Sequence, residues 1–174
     1  MGKKSFLVII FAFVLVIVGS LSAQIKIGYV DSQRILNEFD EAREAQAKLD
    51  MEAKKLQDEY QRLLAKLDSL NKEYERQRLI MSETRRKEKE EEIMELQRQI
   101  QDFQVNKLGP NGEIYQKQAE LVGPVLEKIK KVIQKIGEEE NYDYIFDTVA
   151  GNILYADPAH DLTDKVLYEL KRMK

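Results

Sequence analysis

The 174-residue sequence carries 28 Lys and Arg residues against 31 Asp and Glu residues, a formal net charge of −3, and contains no cysteine. This balance argues against a nucleic-acid-binding groove, which requires a strongly basic face, and the absence of thiols excludes disulfides and thiolate metal sites. Charged residues make up 34% of the chain, with only 8 glycines, 3 prolines and no tryptophan. The composition therefore predicts long solvated helices and argues against a large globular core.

The first residues have the layout of a secretory signal peptide. Lys3 and Lys4 precede an apolar run at 6–18, and small residues follow it. The run has about 13 residues, short of the roughly 20 that a helix needs to cross a bilayer core. The sequence therefore predicts a signal peptide at 1–23 with cleavage near Ser22 or Ala23. An uncleaved membrane anchor is the alternative.

A short strand and a long helix open the predicted mature chain. Residues 25–30 alternate apolar and polar side chains, as a strand does, and Asp31 or Ser32 can cap the helix that follows. Apolar residues then recur at alternating spacings of four and three, with only Gln46 polar, which predicts one continuous helix from about 32 to 78. These positions are Ile35, Phe39, Ala42, Leu49, Ala53, Leu56, Tyr60, Leu63, Leu67, Leu70 and Tyr74.

The heptad pattern stops at an apolar cluster at 79–81, after which Ser82 can cap a new helix, so we expect the chain to turn back near 79–83. The returning arm has a weaker seam at 93–103, an interruption at 109–112 where proline and glycine disfavour a helix, and a renewed seam from 114 to 136. The two arms form a predicted antiparallel coiled-coil hairpin at 32–137, which we expect to flex at the interruption.

Two further strands and a helix are predicted after the hairpin. Segments 142–147 and 153–156 flank a Gly151-Asn152 turn, and an amphipathic helix follows at 162–172. With the first strand they form a small β-body of residues 24–31 and 138–174 at the root of the hairpin, so the fold class is α+β. A sheet this small cannot bury its own apolar faces, which predicts that several copies associate through them. The residues assigned to this association are Ile25, Ile27, Tyr29, Tyr142, Tyr144 and Phe146.

The sequence contains no catalytic or cofactor-binding pattern. His160 is the only histidine, and it lies between Pro158 and Asp161, where a solvated or capping role fits better than a metal ligand or general base. The acid and base pairs on the helices are typical of solvated faces. No glycine-rich phosphate loop follows a strand. We therefore expect no enzyme, cofactor or metal site, and predict a protein that holds other molecules.

The sequence resembles the Skp/OmpH family of periplasmic chaperones. The likeness lies in the opening segment IKIGYVD at 25–31 with Ile35-Leu36 after it, and in the closing segments YDYIFD at 142–147, LYAD at 154–157 and DLTDKVL at 161–167. The resemblance implies a homotrimer whose three helical tentacles hang from a small β-body and enclose a cavity for unfolded outer-membrane β-barrel proteins, held without ATP. The chain departs from the family in being acidic where the best-known member is strongly basic, and in the interruption at 109–112.

Two kinds of contact surface are predicted on the hairpin. Basic residues at the tip are expected to approach anionic lipid headgroups or acidic client segments, with a merely solubilising tip as the alternative. These residues are Arg85, Arg86, Lys87 and Lys89. Apolar residues suited to many weak, adaptable contacts are candidates for binding unfolded clients, with burial inside the hairpin as the alternative. These residues are Leu79, Ile80, Met81, Met51, Leu64, Met94 and Tyr115.

Three functions follow from this interpretation. The leading one is an ATP-independent periplasmic holdase that binds unfolded outer-membrane proteins and prevents their aggregation. A structural or adaptor coiled coil that tethers envelope components through its tip is the second, and a membrane-anchored spacer with a retained leader is the third. The expected partners are unfolded outer-membrane proteins, further copies of the chain and an anionic membrane surface, with no nucleic acid.

Overall fold

The computed structural model describes residues 25–151 and 153–173, so the predicted signal peptide lies outside the described residues. Two helical arms lie side by side on a small root made of helices and two short strands. This confirms the predicted α+β fold with a long helical hairpin. In the part of the chain that is described, no helix is both long and apolar enough to cross a membrane. The elements in chain order are β1 (Ile27–Val30), α1 (Ser32–Glu38), α2 (Asp40–Gln77), α3 (Glu83–Phe103), a π-helical turn (Gln104–Leu108), α4 (Glu113–Leu121), α5 (Gly123–Glu139), β2 (Tyr144–Asp147) and α6 (Thr163–Arg172).

The outgoing arm is two helices, so the prediction of one continuous helix was wrong. Asp31 caps α1 by accepting a hydrogen bond from the backbone N–H of Arg34 at 2.8 Å. Phe39 then leaves the helical conformation, with φ −84° and ψ 117°, while its side chain stays buried in the root. Asp40 and Glu41 begin α2, where acidic side chains suit the positive end of the helix dipole. The periodicity conceals the interruption because Phe39 itself lies on the apolar stripe.

The turn between the arms is short and capped. α2 ends at Gln77 and α3 begins at Glu83, with Ser82 accepting a hydrogen bond from the N–H of Arg85 at 3.3 Å. The carbonyl of Gln77 accepts from the N–H groups of Ile80 and Met81 at 3.0 and 3.1 Å. Backbone groups at the tip are thus satisfied locally, which leaves the side chains of the turn pointing outward.

Two separate apolar clusters hold the arms together. The distal cluster, near the tip, consists of Leu70, Ile93, Leu96 and Ile100, with Tyr60, Leu63, Leu64, Leu67 and Tyr74 packed against it. The root cluster consists of Val30, Ile35, Phe39, Ala42, Ala45, Val125, Ile129, Val132, Ile136, Leu162, Val166, Leu167 and Leu170. The root cluster packs side chains from both arms, β1 and the C-terminal helix into one core. The hairpin is therefore well packed at its two ends.

The returning arm is interrupted twice. After the π-helical turn, Gly109 and Gly112 reverse the backbone so tightly that a Cβ on Gly109 would lie 2.4 Å from the carbonyl oxygen of Val105, and one on Gly112 2.8 Å from that of Lys107. A second interruption falls at Val122, between α4 and α5, which the predicted seam from 114 to 136 missed. Its cause is Pro124, which has no N–H to donate to the carbonyl four residues earlier.

The sheet has two strands in the described chain, where three were predicted. β1 and β2 pair in parallel, with Ile27 opposite Tyr144 and Val30 opposite Asp147. Asp147 turns the chain away after β2 by accepting hydrogen bonds from the N–H groups of Val149 and Ser32 at 3.1 and 3.2 Å. Burial raises the pKa of the Asp147 carboxyl, but the Ser32 side chain, together with the N–H groups of Val149 and Ser32, outweighs it and holds the pKa below its usual value. A short 3-10 turn follows, and the predicted strand at 153–156 does not form.

A buried threonine ties the end of β1 to the start of α6. The Thr163 hydroxyl accepts a hydrogen bond from the N–H of Asp31 at 3.0 Å and donates one to Asp161 Oδ1 at 2.5 Å. Asp161 also accepts from the N–H of Thr163 at 2.8 Å. Next to this group, the N–H of Leu162 donates to the Tyr29 carbonyl at 2.8 Å. The segment DLTD at 161–164 thus begins beside β1, where Asp161 forms an isolated parallel bridge with Tyr29.

Replacing Thr163 by valine, which has the same shape, should destabilise the chain by about 1–3 kcal/mol because the buried N–H of Asp31 loses its partner. Urea unfolding followed by circular dichroism measures the change. Thr84→Val, at an exposed threonine of α3, is the matched control and should change stability by no more than about 0.5 kcal/mol. Equal effects of the two substitutions would show that the Thr163 hydroxyl has no special structural role.

Candidate functional surfaces

One face of the sheet is apolar and uncovered. The parallel register places Ile27 beside Tyr144 and Tyr29 beside Phe146, and the rings of Tyr144 and Phe146 stack with centroids 6.0 Å apart. Ile27, Tyr144 and Phe146 are 46%, 57% and 47% exposed, and Ile25 beside them is 62% exposed. We call these five residues the apolar sheet face. A contiguous apolar surface of this kind marks an interaction site.

The sheet face is one wall of an open groove of about 740 Å³. The opposite wall is the segment 153–157, in which Leu154 and Tyr155 are 98% and 86% exposed. His160 also lines the groove. Burial, together with the carboxylates of Asp161 and Asp157, raises the pKa of the Tyr29 hydroxyl, so this group stays protonated. The groove therefore presents mainly aromatic and aliphatic surface, with the Asp157 carboxylate and His160 also among its lining residues.

Tyr142 does not belong to the sheet face, contrary to its predicted grouping with Tyr144 and Phe146. Its ring packs against the root cluster, and the Lys26 ammonium lies 3.9 Å from the ring centroid. A Cβ on Gly28 would approach the Tyr142 ring to 3.0 Å, so the glycine leaves space for it. Tyr142 lies two residues before the first residue of β2, and the alternation of the strand does not extend that far.

The tip displays two aliphatic side chains. Leu79 and Ile80 are 89% and 86% exposed, whereas Met81 is half-buried. The tip turn is cross-braced by the Tyr74 hydroxyl, which donates a hydrogen bond to Glu90 on the other arm; this bond raises the pKa of Tyr74. This hydrogen bond ties the two arms together close to the apolar tip.

The predicted basic residues of the tip are partly neutralised by local ion pairs. Arg85 pairs with Glu88 at 3.0 Å and Lys87 with Glu83 at 3.6 Å. Lys89 pairs with Glu92 at 2.9 Å, and its side chain is only 14% exposed, so its predicted contact with lipid or client is disfavoured. Arg86 has no ion-pair partner among the described residues. Of the four basic residues, Arg86 is thus the one whose charge no local ion pair of the described chain offsets, while Arg85 and Lys87 are exposed but paired.

The apolar candidates along the arms differ in exposure. Met51, Met94 and Tyr115 are 67%, 59% and 53% exposed, as a contact surface requires. Leu64 is half-buried and packs against the distal cluster, so it follows the alternative of burial within the hairpin. Val105 on the π-helical turn is 62% exposed but was not among the predicted client-binding residues. Its position outside the 93–103 seam could have indicated its exposure.

Comparison with known proteins places this architecture in a family. The family model described as outer membrane protein (OmpH-like) matches residues 26–170. An uncharacterized protein of Aquifex aeolicus is 27% identical over 162 residues, covering 93% of this chain and 96% of that protein.

The fold is also similar to a solved structure. The crystal structure of an OmpH-like protein of Caulobacter crescentus CB15, itself suggested to be an outer membrane chaperone, superposes with a TM-score of 0.69 at 15% identity. The similarity covers 87% of this chain and 86% of that one. At this identity the likeness concerns the fold. The family match over 26–170 confirms the resemblance found in the sequence, and the chain belongs to the OmpH-like family.

Proposed function

We propose that the chain is an ATP-independent holdase that binds unfolded outer-membrane proteins in the periplasm and prevents their aggregation. Family membership supports a chaperone role, as does the fold shared with the C. crescentus protein. The observation that carries the proposal is the distribution of apolar side chains. Met51, Met94 and Tyr115 are exposed at separate places along a charged hairpin, which suits many weak contacts to variable sequences.

The chemistry of these residues fits a client without fixed structure. Methionine is flexible and polarizable, so it adapts to different side chains without a preformed pocket. Tyrosine offers a large surface at low entropic cost, because only two side-chain torsions are ordered. Release of the client then requires no ATP hydrolysis. Each contact is weak, and folding of the client competes with all the contacts together.

The apolar sheet face supports self-association, which the family resemblance makes a homotrimer. In such an assembly the face and the groove beside it are covered by neighbouring copies, and the hairpins project from the shared body. Several arms around one space multiply weak contacts to one client, since each further contact is made at high effective concentration.

The tip supports a second partner, an anionic membrane surface. Leu79 and Ile80 can insert among the acyl chains near the headgroups while Arg85, Arg86 and Lys87 neutralise lipid charges. Delivery of a held client to the membrane is the role that fits this contact. If the tip binds membranes while the arms bind no client, the alternative of an envelope adaptor describes the chain better.

Replacing Met51, Met94 and Tyr115 by glutamine should raise the chaperone concentration that prevents aggregation of an unfolded barrel protein by about tenfold, the effect of losing roughly 1.4 kcal/mol of apolar contact. Light scattering after dilution of the client from urea, without nucleotide, measures this. The control replaces Gln57, Gln97 and Gln116, exposed on the same three helices, by alanine. Failure of the unmodified protein to suppress aggregation would refute the holdase.

Replacing Tyr144 and Phe146 by serine should shift the oligomer towards the monomer, because the substitutions remove two aromatic rings from the apolar sheet face. Light scattering coupled to size exclusion gives the mass, with a shift in the dissociation constant of about tenfold or more expected for two such aromatic contacts. Tyr168→Ser is the control, since Tyr168 is an aromatic residue of the root, 60% exposed and remote from the face in sequence. An unchanged mass in the double variant would remove the sheet face as the interface.

Reversing the charge at Arg85, Arg86 and Lys87 should weaken co-sedimentation with vesicles containing anionic lipid by at least about tenfold, since each basic residue near such a surface contributes about 1 kcal/mol. Lys48, Lys54 and Lys130, exposed away from the tip, changed together to glutamate, give a control with the same net charge. If both triple variants lose the same affinity, the interaction depends on overall charge and not on the tip.

A further inference from the structure

α4 is a short helix isolated between two interruptions. On its tip side lie the π-helical turn and the reversal at 109–112, and on its root side lies the Val122–Pro124 junction. Its nine residues would form a marginal helix in water without support from packing, because helices below about 12–15 residues are not stable alone. Whatever keeps α4 in place must therefore come from its contacts with neighbouring segments.

Those contacts contain little burial. No residue of α4 is buried, whereas α3 and α5 on either side each contribute four buried side chains: Ile93, Leu96, Ile100 and Phe103 in α3, and Val125, Ile129, Val132 and Ile136 in α5. α4 lies between the distal and root clusters and belongs to neither. Segments with few buried contacts open at lower free energy than the cores beside them.

Besides the half-buried Ile114 and Leu121, an ion pair holds the start of α4. Lys107 on the π-helical turn pairs with Glu113, the first residue of α4, and in the described chain this is the one ion pair across the 109–112 reversal. The bond from Lys107 lowers the pKa of the Glu113 carboxyl, and Lys55 of α2 also contributes. The hydrogen bond to Glu120 and, more weakly, the charge of Glu52 of α2 raise the pKa of Lys117. Water reaches the Lys107–Glu113 pair, which is 43% and 35% exposed, so salt weakens it.

α4 packs along α2. The charges of Lys55 and Glu52 of α2 act on Glu113 and Lys117, which fits a position of α4 beside the part of α2 that contains Leu49, Ala53 and Leu56. Leu56 is 5% exposed there. α2 runs through this level without interruption as a 38-residue helix, so the flexing of the hairpin predicted at 109–112 would have to bend α2. Detachment of α4 alone leaves α2 intact.

We propose that α4 opens as a unit from the hairpin, released when the Lys107–Glu113 pair breaks, and that the stripe Leu49, Ala53 and Leu56 then binds an extended apolar segment of an unfolded protein. The binding half rests on the proposed holdase function, but the opening does not. The exposed Met51 beside this site on α2 extends the apolar surface once α4 has moved. The opened site exists only transiently, which protects the chain from self-association through the same stripe.

Hydrogen exchange of the full-length mature chain, read by mass spectrometry, tests the opening without any client. Amides of α4 should exchange together and faster than those of α3 and α5. Glu113→Gln should accelerate α4 by about two- to fivefold, as expected for loss of an exposed ion pair, and added salt should accelerate the unmodified chain. Glu120→Gln, which breaks the Lys117–Glu120 pair within α4, is the control and should have less effect. Pro124→Ala, which joins α4 to α5, should slow α4 at least about threefold.

Equal exchange in α4 and α5, or equal effects of the two glutamine variants, would overturn the opening. With an unfolded outer-membrane barrel protein present, α4 should exchange faster and residues 49–56 of α2 slower. If aggregation is suppressed but these segments are unchanged, the client binds elsewhere and the proposed site is wrong. If aggregation is not suppressed at all, the holdase function fails while the exchange result on the free chain still stands.

Discussion

The whole structure depends on how the two ends of the chain are joined. Asp31 and Thr163 are 132 positions apart, and the buried Thr163 hydroxyl links the end of β1 to the start of α6. Around it, the root cluster packs residues from β1, α1, α2, α5 and α6 into one core. Without this junction the arms would have no common base, because β1 is a four-residue strand that cannot be stable alone.

From that base, stability is distributed unevenly along the hairpin. The root and distal clusters use apolar packing, whereas α4 in the middle of the returning arm has no buried side chain and begins at an ion pair that water reaches. This division would suit the proposed holdase function. The packed ends preserve the geometry of the arms, and the weak middle section can rearrange at low free-energy cost. The apolar sheet face adds a third region, suited to permanent contacts because its aromatic residues are rigid.

Sequence periodicity was enough to predict the hairpin, since long runs of heptad spacing without glycine or proline have few other solutions. Heptad spacing could not reveal the interruption at Phe39. An apolar residue at the expected position gives the same sequence pattern whether it lies inside a helix or between two helices. Pro124 indicates the second interruption, but the apolar seam from 114 to 136 continues past it and predicted an unbroken helix. The strand expected at 153–156 failed because Asp147 hydrogen-bonds two backbone N–H groups and starts a turn, a tertiary effect that propensity does not contain. The exposure of Met51 and Tyr115, against the burial of Leu64, depended on packing between the arms.

The parallel pairing of β1 with β2 has a consequence for the order of folding. The strands meet across 117 positions, as in the bond between Lys26 and Asp143, so the entire hairpin is the crossover connection between them. Contacts between such distant residues form slowly when the intervening chain is flexible, but helices form from local contacts and shorten the search. The arms therefore assemble first and bring the strands together, and the apolar sheet face comes into existence only at the last step. Until then its aromatic residues belong to separate segments, and no partial chain presents the complete surface through which copies would associate.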